Sequence, residues 1–167
     1  IIRDDTLEAA VEIISEASRL VIVGYAVSAA VAYDACFKFT RLGINCHFST
    51  DPHLNAILLS EAAEGDVVLA ISQSGETRDI VTPVRASHPP VKVVSITGDA
   101  DSSLARISDV CIATTSEERN YRTDALISRI VQKVLISILY TGVALQRGES
   151  IMGKLHASRR ALSYLKF

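Results

Sequence analysis

The sequence predicts an α/β fold, a five-stranded parallel sheet sandwiched between two layers of helices. Two observations carry this expectation. Short continuous apolar runs alternate with segments of helical period along the chain, as happens when strands buried on both faces are joined by crossover helices. At 167 residues, 49% of them hydrophobic, the chain is long and apolar enough to bury a sizeable core as one domain. A third feature, hydroxyl-rich loops where strands hand over to helices, bears on function.

Residues 5–17 are expected to form a helix with Leu7, Ala10, Val11 and Ile14 on one face. Leu20 to Gly24 is a short buried strand. The helix 27–42 carries Val31, Ala35 and Phe39 at i, i+4 and i+8, and Gly43 ends it at the C′ position. Asn45 to Phe48 is the second strand. Asp51-Pro52 then opens a helix through Ala63, aspartate as N-cap and proline at N1. The third strand, 66–71, leads through a hydroxyl loop into a helix of about 77–86. Pro89-Pro90 marks a turn before strand four, Val91 to Ile96. A short helix near 101–107 and a strand at 109–113 complete five units. Right-handed crossovers then favour the order 2-1-3-4-5, a flavodoxin-like arrangement. The helix 124–146 has doubled apolar positions, Leu126/Ile127, Ile130/Val131, Val134/Leu135 and Ile138/Leu139. So broad a stripe is covered on more than one side, by its own sheet or by a second copy of the chain. After Gly148 a C-terminal helix of about 149–165 carries Lys154, Arg159, Arg160 and Lys166, read as a solvated basic face.

Charge and composition exclude several classes. A formal net charge of −2 gives no footprint for nucleic acid or an anionic membrane. No uninterrupted apolar run approaches the roughly 20 residues of a membrane span, and no signal peptide opens the chain. The first residue is Ile1, so a preceding module is expected to be missing from this sequence. Cys36, Cys46 and Cys111 are odd in number and widely spaced. They read as buried free thiols of a reducing cytoplasm, with no metal site and no redox motif.

In an open parallel sheet, ligands sit beyond the carboxyl ends of the strands where the strand order reverses. With order 2-1-3, that point lies between the loops after strands one and three. The first loop is Gly24-Tyr25-Ala26-Val27-Ser28 and the second is Ser72-Gln73-Ser74-Gly75-Glu76-Thr77. A helix N-terminus leaves N–H groups unpaired and carries about half a positive charge, so it holds anions. Glycine permits close approach, and hydroxyls donate without adding charge. Ser28, Ser72, Ser74 and Thr77 are therefore candidate donors to a phosphate ester. The competing reading makes them ordinary helix caps. Neither loop has the lysine of a Walker A motif. A dinucleotide fingerprint would need glycine at Ala26, and no Gly-x-Ser-x-Gly nucleophile elbow is present.

Gly24…Ser28, Lys38-Phe39…Arg41-Leu42-Gly43, Ser72-Gln73-Ser74-Gly75-Glu76-Thr77 and Ser103-Leu104-Ala105…Ser108-Asp109 together resemble a sugar isomerase (SIS) domain. The resemblance covers roughly residues 5–147. The run Lys38 to Gly43, Asp51-Pro52-His53 and the helix around Ser128-Arg129 are most similar to the C-terminal sensor domain of RpiR-type transcriptional regulators. That family carries an N-terminal helix-turn-helix domain, expected to be absent from this chain and to supply its only route to DNA. The resemblance implies that Ser72, Gln73, Ser74, Gly75 and Thr77 hold a phosphorylated sugar or amino sugar, assisted by Ser28 and the backbone at Ala26, and that Glu76 borders the site. It implies a loop near Arg122 and Thr123 that closes over the sugar, and a homodimer or tetramer. It brings His53 toward the site, its own or that of a dimer mate; a surface or capping histidine is the alternative. Ala26 departs from the family's usual second glycine.

An aldose–ketose isomerase needs a base poised over the sugar. Glu76 is the nearest candidate, yet a carboxylate turned into the loop would repel the phosphate. As a first-turn residue facing solvent it would suit the helix dipole. Glu61, Glu64 and Glu117 have no partner legible in the sequence. The expectation is a ligand-sensing domain with no catalytic residue, no metal and no cofactor; the alternative is a phosphosugar isomerase.

Overall fold

A computed structural model describes residues 3–114 and 124–165. In chain order the elements are α1 (Asp4–Glu16), β1 (Arg19–Val23), α2 (Ala29–Arg41), β2 (Cys46–Phe48), α3 (Pro52–Ser60), β3 (Asp66–Ser72) and α4 (Arg78–Ala86). They continue as β4 (Lys92–Thr97), α5 (Ser103–Arg106), β5 (Val110–Ala113), α6 (Asp124–Arg147) and α7 (Met152–Ser163). The five strands form one parallel sheet in the order β2-β1-β3-β4-β5, as expected. Register is set in the middle of the sheet, where Leu20 faces Val67 and Val68 faces Val93.

Side chains alternate across the strands, so each face builds its own core. Leu20, Ile22, Leu69, Ile71 and Ile96 pack beneath α1, α2 and α6. Val21, Val23, Val68, Ala70 and Val93 face α3, α4 and α5. Ala10 and Ile14 of α1 and Val31, Ala35 and Phe39 of α2 are fully buried, the faces their periodicity marked. Gly43 takes φ +77 after α2, and Asp51 caps α3 by accepting from the backbone N of His53 at 2.9 Å. That helix ends at Ser60 rather than at Ala63.

The doubled stripe of α6 divides at Val134/Leu135 and Ile138/Leu139, while Ile130 and Val131 are both exposed. Leu135, Ile136, Leu139 and Val143 are buried against the first core, while Ile127, Ile130, Val134 and Ile138 stay exposed. Only one side of the stripe is covered within the chain. Arg147 donates to the carbonyl of Ser15 at 2.6 Å and fastens the end of α6 to α1. By length and composition the helical stretch Ile127–Ser163 is long and apolar enough to cross a membrane. This corrects the expectation drawn from uninterrupted runs. The apolar character of α6 is partly spent on the core, as in any long core helix.

One expectation for the cysteines is also corrected. All three are free but half-buried rather than buried. Cys36 on α2 and Cys46 on β2, ten positions apart in sequence, are brought together by the α2–β2 turn. The hydrogen bond between them lowers the Cys36 thiol to about 7 and raises that of Cys46.

Candidate functional site

Both loops of interest lie at the carboxyl ends of adjacent strands, β1 and β3. Between them is a cavity of about 370 Å³ lined by Tyr25, Ala26, Val27, Ser28, Ile71, Ser72, Gln73, Ser74 and Thr77. No lysine or arginine is among these residues. A larger groove of about 800 Å³ runs along α2 and α6; Ile130, Val134, Ile138 and Leu145 line it beside Lys133, and its Lys38 is already engaged with Asp34 and Ser137.

The first loop begins after Val23 and enters α2 through one turn of 3-10 helix, Ala26–Ser28. Ala26 has φ +50, a left-handed conformation that costs an L-residue with a Cβ about 1–2 kcal/mol. Glycine would adopt this conformation without that cost. Ser28 is buried, its backbone N donating to the Tyr25 carbonyl at 3.0 Å. Tyr25 accepts from Asn55 Nδ2 at 2.8 Å; burial raises its phenol pKa above the ordinary value.

The second loop is tied down more firmly. Gly75 has φ +65, and a Cβ placed on it would lie 2.1 Å from Ser102 Oγ. Both the conformation and the space require glycine. The Gly75 carbonyl accepts from Leu104 N at 2.9 Å, and the Gln73 carbonyl accepts from Gly98 N at 2.9 Å. Within the loop, Ser72 Oγ and Thr77 Oγ1 share a hydrogen bond of 2.9 Å. Gly75 N donates to Ser72 Oγ at 3.2 Å, and Glu76 N donates to Ser74 Oγ at 3.2 Å. The Ser74 side chain is exposed at the mouth of the cavity.

Capping discriminates between the two readings of these hydroxyls. Four described helices begin with a serine, threonine or aspartate at the N-cap. Asp51 caps α3 and Ser102 caps α5 with their side chains. Ser28 before α2 and Thr77 before α4 make no such bond. The two helices that point at the cavity are those whose N-cap side chains make no cap bond, although Ala29 N already donates to the Ala26 carbonyl and Ile80 N to that of Thr77. The first-turn N–H groups that remain, with neutral donors beside them, are suited to an anion.

The remaining candidates are placed elsewhere. Glu76 is exposed and its carboxylate accepts from Ser103 N at 2.7 Å, at the start of α5. That bond, with Arg106 and Arg85 nearby, holds its pKa below the ordinary carboxylate value. Glu76 therefore stays ionised and turned away from the cavity, and it is not among the lining residues. His53 has 92% of its side chain exposed and rests on Asp51, beside a separate small depression shared with Arg78 and Asp79. Within one chain it does not reach the loops. Arg122, Thr123 and Glu117 lie outside the described residues. Two residues given no role in the site from the sequence do matter: Gln132, not named there, donates from Nε2 to Gln73 Oε1 at 3.0 Å, and Ser128, quoted only for the family resemblance, lies one helical turn before it. Their signal was two polar residues at i, i+4 in an otherwise apolar stripe.

A family model for the SIS domain matches residues 13–142. An uncharacterized HTH-type transcriptional regulator of Thermotoga maritima is 44% identical over 164 residues, a match covering 98% of this chain and 58% of that protein. YbbH of Bacillus subtilis, another uncharacterized HTH-type transcriptional regulator, is 33% identical over 162 residues, 96% of this chain and 57% of its own length. The chain thus spans little more than half the length of these relatives. Among solved structures, the NanR protein of Vibrio vulnificus complexed with ManNAc-6P superposes with a TM-score of 0.90 at 22% identity, over 99% of this chain and 63% of that one. The sugar isomerase domain of an RpiR transcription factor from Sphaerobacter thermophilus gives 0.80 at 24% identity, over 95% and 88%. At such identities these two likenesses speak to the fold. With its sheet order, its paired loops and a family match over most of its length, the chain belongs to the SIS domain family.

Proposed function

We propose that this chain is the phosphosugar-binding, effector-sensing domain of a transcriptional regulator rather than an enzyme. One observation carries the reading: two helix N-termini face one cavity with their hydroxyl caps disengaged. The phosphate would be held by Ser28, Ser72, Ser74 and Thr77 with the N–H groups of both loops, Gln73 and Gly75 shaping the second. Hydrogen bonds to a charged group contribute roughly 1.5–3 kcal/mol each, so a few of them reach micromolar affinity without a lysine. Arg122 is assigned to the loop that closes over the sugar, and His53 to the approach of a second subunit. Glu76, engaged with α5, is a poor base, and this favours sensing over isomerisation.

The relatives named as regulators are longer than this chain, and DNA is assigned to their additional segment. The protein belongs in the cytoplasm, where sugar phosphates occur. A homo-oligomer completes the reading. Ile130, Val134, Ile138 and Leu145 form an exposed apolar face beside the Asp34–Lys38 ion pair of α2, and a second copy would cover it.

Calorimetric titration with hexose and pentose phosphates tests the site. Saturable binding without conversion is expected, and Ser74→Ala should weaken it by about 1–3 kcal/mol with the fold intact. Turnover of any of these sugars would favour the isomerase. Unchanged affinity in the variant would remove the loop from the site.

A further inference from the structure

Two buried polar atoms of α6 have no hydrogen-bond partner, Ser128 Oγ and Gln132 Oε1. Their residues are 5% and 1% exposed. An orphaned buried acceptor or hydroxyl is costly, and a native fold keeps one chiefly where something else satisfies it. Positions i and i+4 share a helix face, so the two atoms lie along one line. That line leads to the proposed phosphate site. Gln132 Nε2 is bonded to Gln73 Oε1, Gln73 lines the cavity, and α6 packs on the 26–28 turn of the first loop.

We propose that Ser128 and Gln132 form a sugar-reading wall, separate from the phosphate cradle, that recognises the hydroxyl-bearing body of the ligand. The inference rests on the phosphosugar reading above and deepens it. The carbonyl of Gln132 accepts one hydrogen bond from a donor, and the Ser128 hydroxyl both donates and accepts. A polyol ring or chain offers both kinds of group, as does the N–H of an acylated amino sugar. A phosphate seated between the two loops does not meet this wall, since neither residue lines that cavity. Gln132 also links sugar to phosphate, since its amide N–H fixes the Gln73 side chain at the mouth of the second loop. A site built to hydrogen-bond hydroxyls discriminates strongly against a ligand that lacks them.

The test titrates the chain, Ser128→Ala and Gln132→Met with glucose 6-phosphate, N-acetylglucosamine 6-phosphate, glycerol 3-phosphate and inorganic phosphate, using calorimetry for the sugars and phosphorus NMR for the weak binders. The variants should lose about ten- to a hundredfold affinity for the better hexose phosphate. Inorganic phosphate should be held by Ser128→Ala within about twofold of the unmodified chain; Gln132→Met, which also frees the Gln73 side chain, should weaken it further than Ser128→Ala does. Melting curves provide a second reading. Ser128→Ala removes an orphan, so the ligand-free protein should melt at the same temperature or higher while the ligand-induced rise shrinks. Sugar affinity unchanged in Ser128→Ala would overturn the proposal, as would an equal loss for sugar phosphate and inorganic phosphate. If the unmodified chain binds none of the four, the phosphate cradle itself is wrong and the wall goes with it.

Discussion

The two loops at the head of the sheet face the same cavity and are built differently. The loop after β3 is anchored: Gln73, Gly75 and Glu76 each accept a bond from the β4–α5 region, and Ser102 leaves no room for a side chain at Gly75. The loop after β1 is lighter. Its turn is closed by Ser28 N on the Tyr25 carbonyl, and its left-handed residue, Ala26, is exposed and carries a methyl. Left-handed strain is tolerable where the side chain meets solvent. Where a neighbour approaches closely, only glycine remains.

Substitutions break this contrast in order of size. Gly75→Ala combines a left-handed residue with a clash against Ser102. Its expected cost is about 2–4 kcal/mol in urea unfolding; a loss under about 1 kcal/mol would mean that the anchoring is weaker than the geometry states. The caps come next, as a pair of opposites. Ser102→Ala should destabilise the fold by about 1 kcal/mol, the usual worth of an engaged N-cap. Thr77→Val keeps the branched shape and removes a hydroxyl that caps nothing but bonds Ser72 Oγ. It should cost about 0.5–1.5 kcal/mol of stability, the worth of that one bond, while weakening a bound hexose phosphate roughly tenfold. Unchanged hexose phosphate affinity would restore the view that these hydroxyls serve only the fold.

Ala26→Gly, in the lighter loop, relieves strain but loosens the unfolded chain. A net gain of about 0.5–1 kcal/mol is expected. The smallest effect concerns acid. The folded-state pKa of Glu76 lies below its ordinary value, chiefly through the backbone bond from Ser103. Its contribution is therefore present above the unfolded pKa and fades as pH falls through the lower folded one. Glu76→Gln should flatten that acidic limb by losing the small contribution at neutral pH, where the carboxylate is charged, and leave stability near pH 3 nearly unchanged, as read by thermal melts from pH about 3 to 7.

Much of this architecture was legible in the chain. Continuous apolar runs gave the strands, and chirality together with crossover length gave their order. The Ser-Gln-Ser-Gly-Glu-Thr run marked the anchored loop because its glycine and hydroxyls have a local reason to be together. The lighter loop was half legible, since nothing about alanine announces a left-handed residue. Glu76 faces solvent, as a first-turn residue was expected to, but its bond to Ser103 was not legible because it depends on α5, twenty-seven positions away. The inward role of Ser128 and Gln132 escaped for a related reason. Periodicity weighs the apolar residues of a helix, and these two polar ones face inward only once α6 crosses the loops. The Cys36–Cys46 contact likewise follows from the turn between α2 and β2 and from no spacing rule.

The lining of the cradle, free of lysine and arginine, has an experimental signature of its own. Where fixed dipoles replace mobile counter-charges, added salt has little to screen at close range, and acidifying the buffer finds no basic residue in the lining to alter. A phosphate monoester dianion takes up a proton near pH 6 and becomes a monoanion. Occupancy should then follow the ionisation of the metabolite: in mild acid the guest, and not its host, loses one of the two charges that hold it in place.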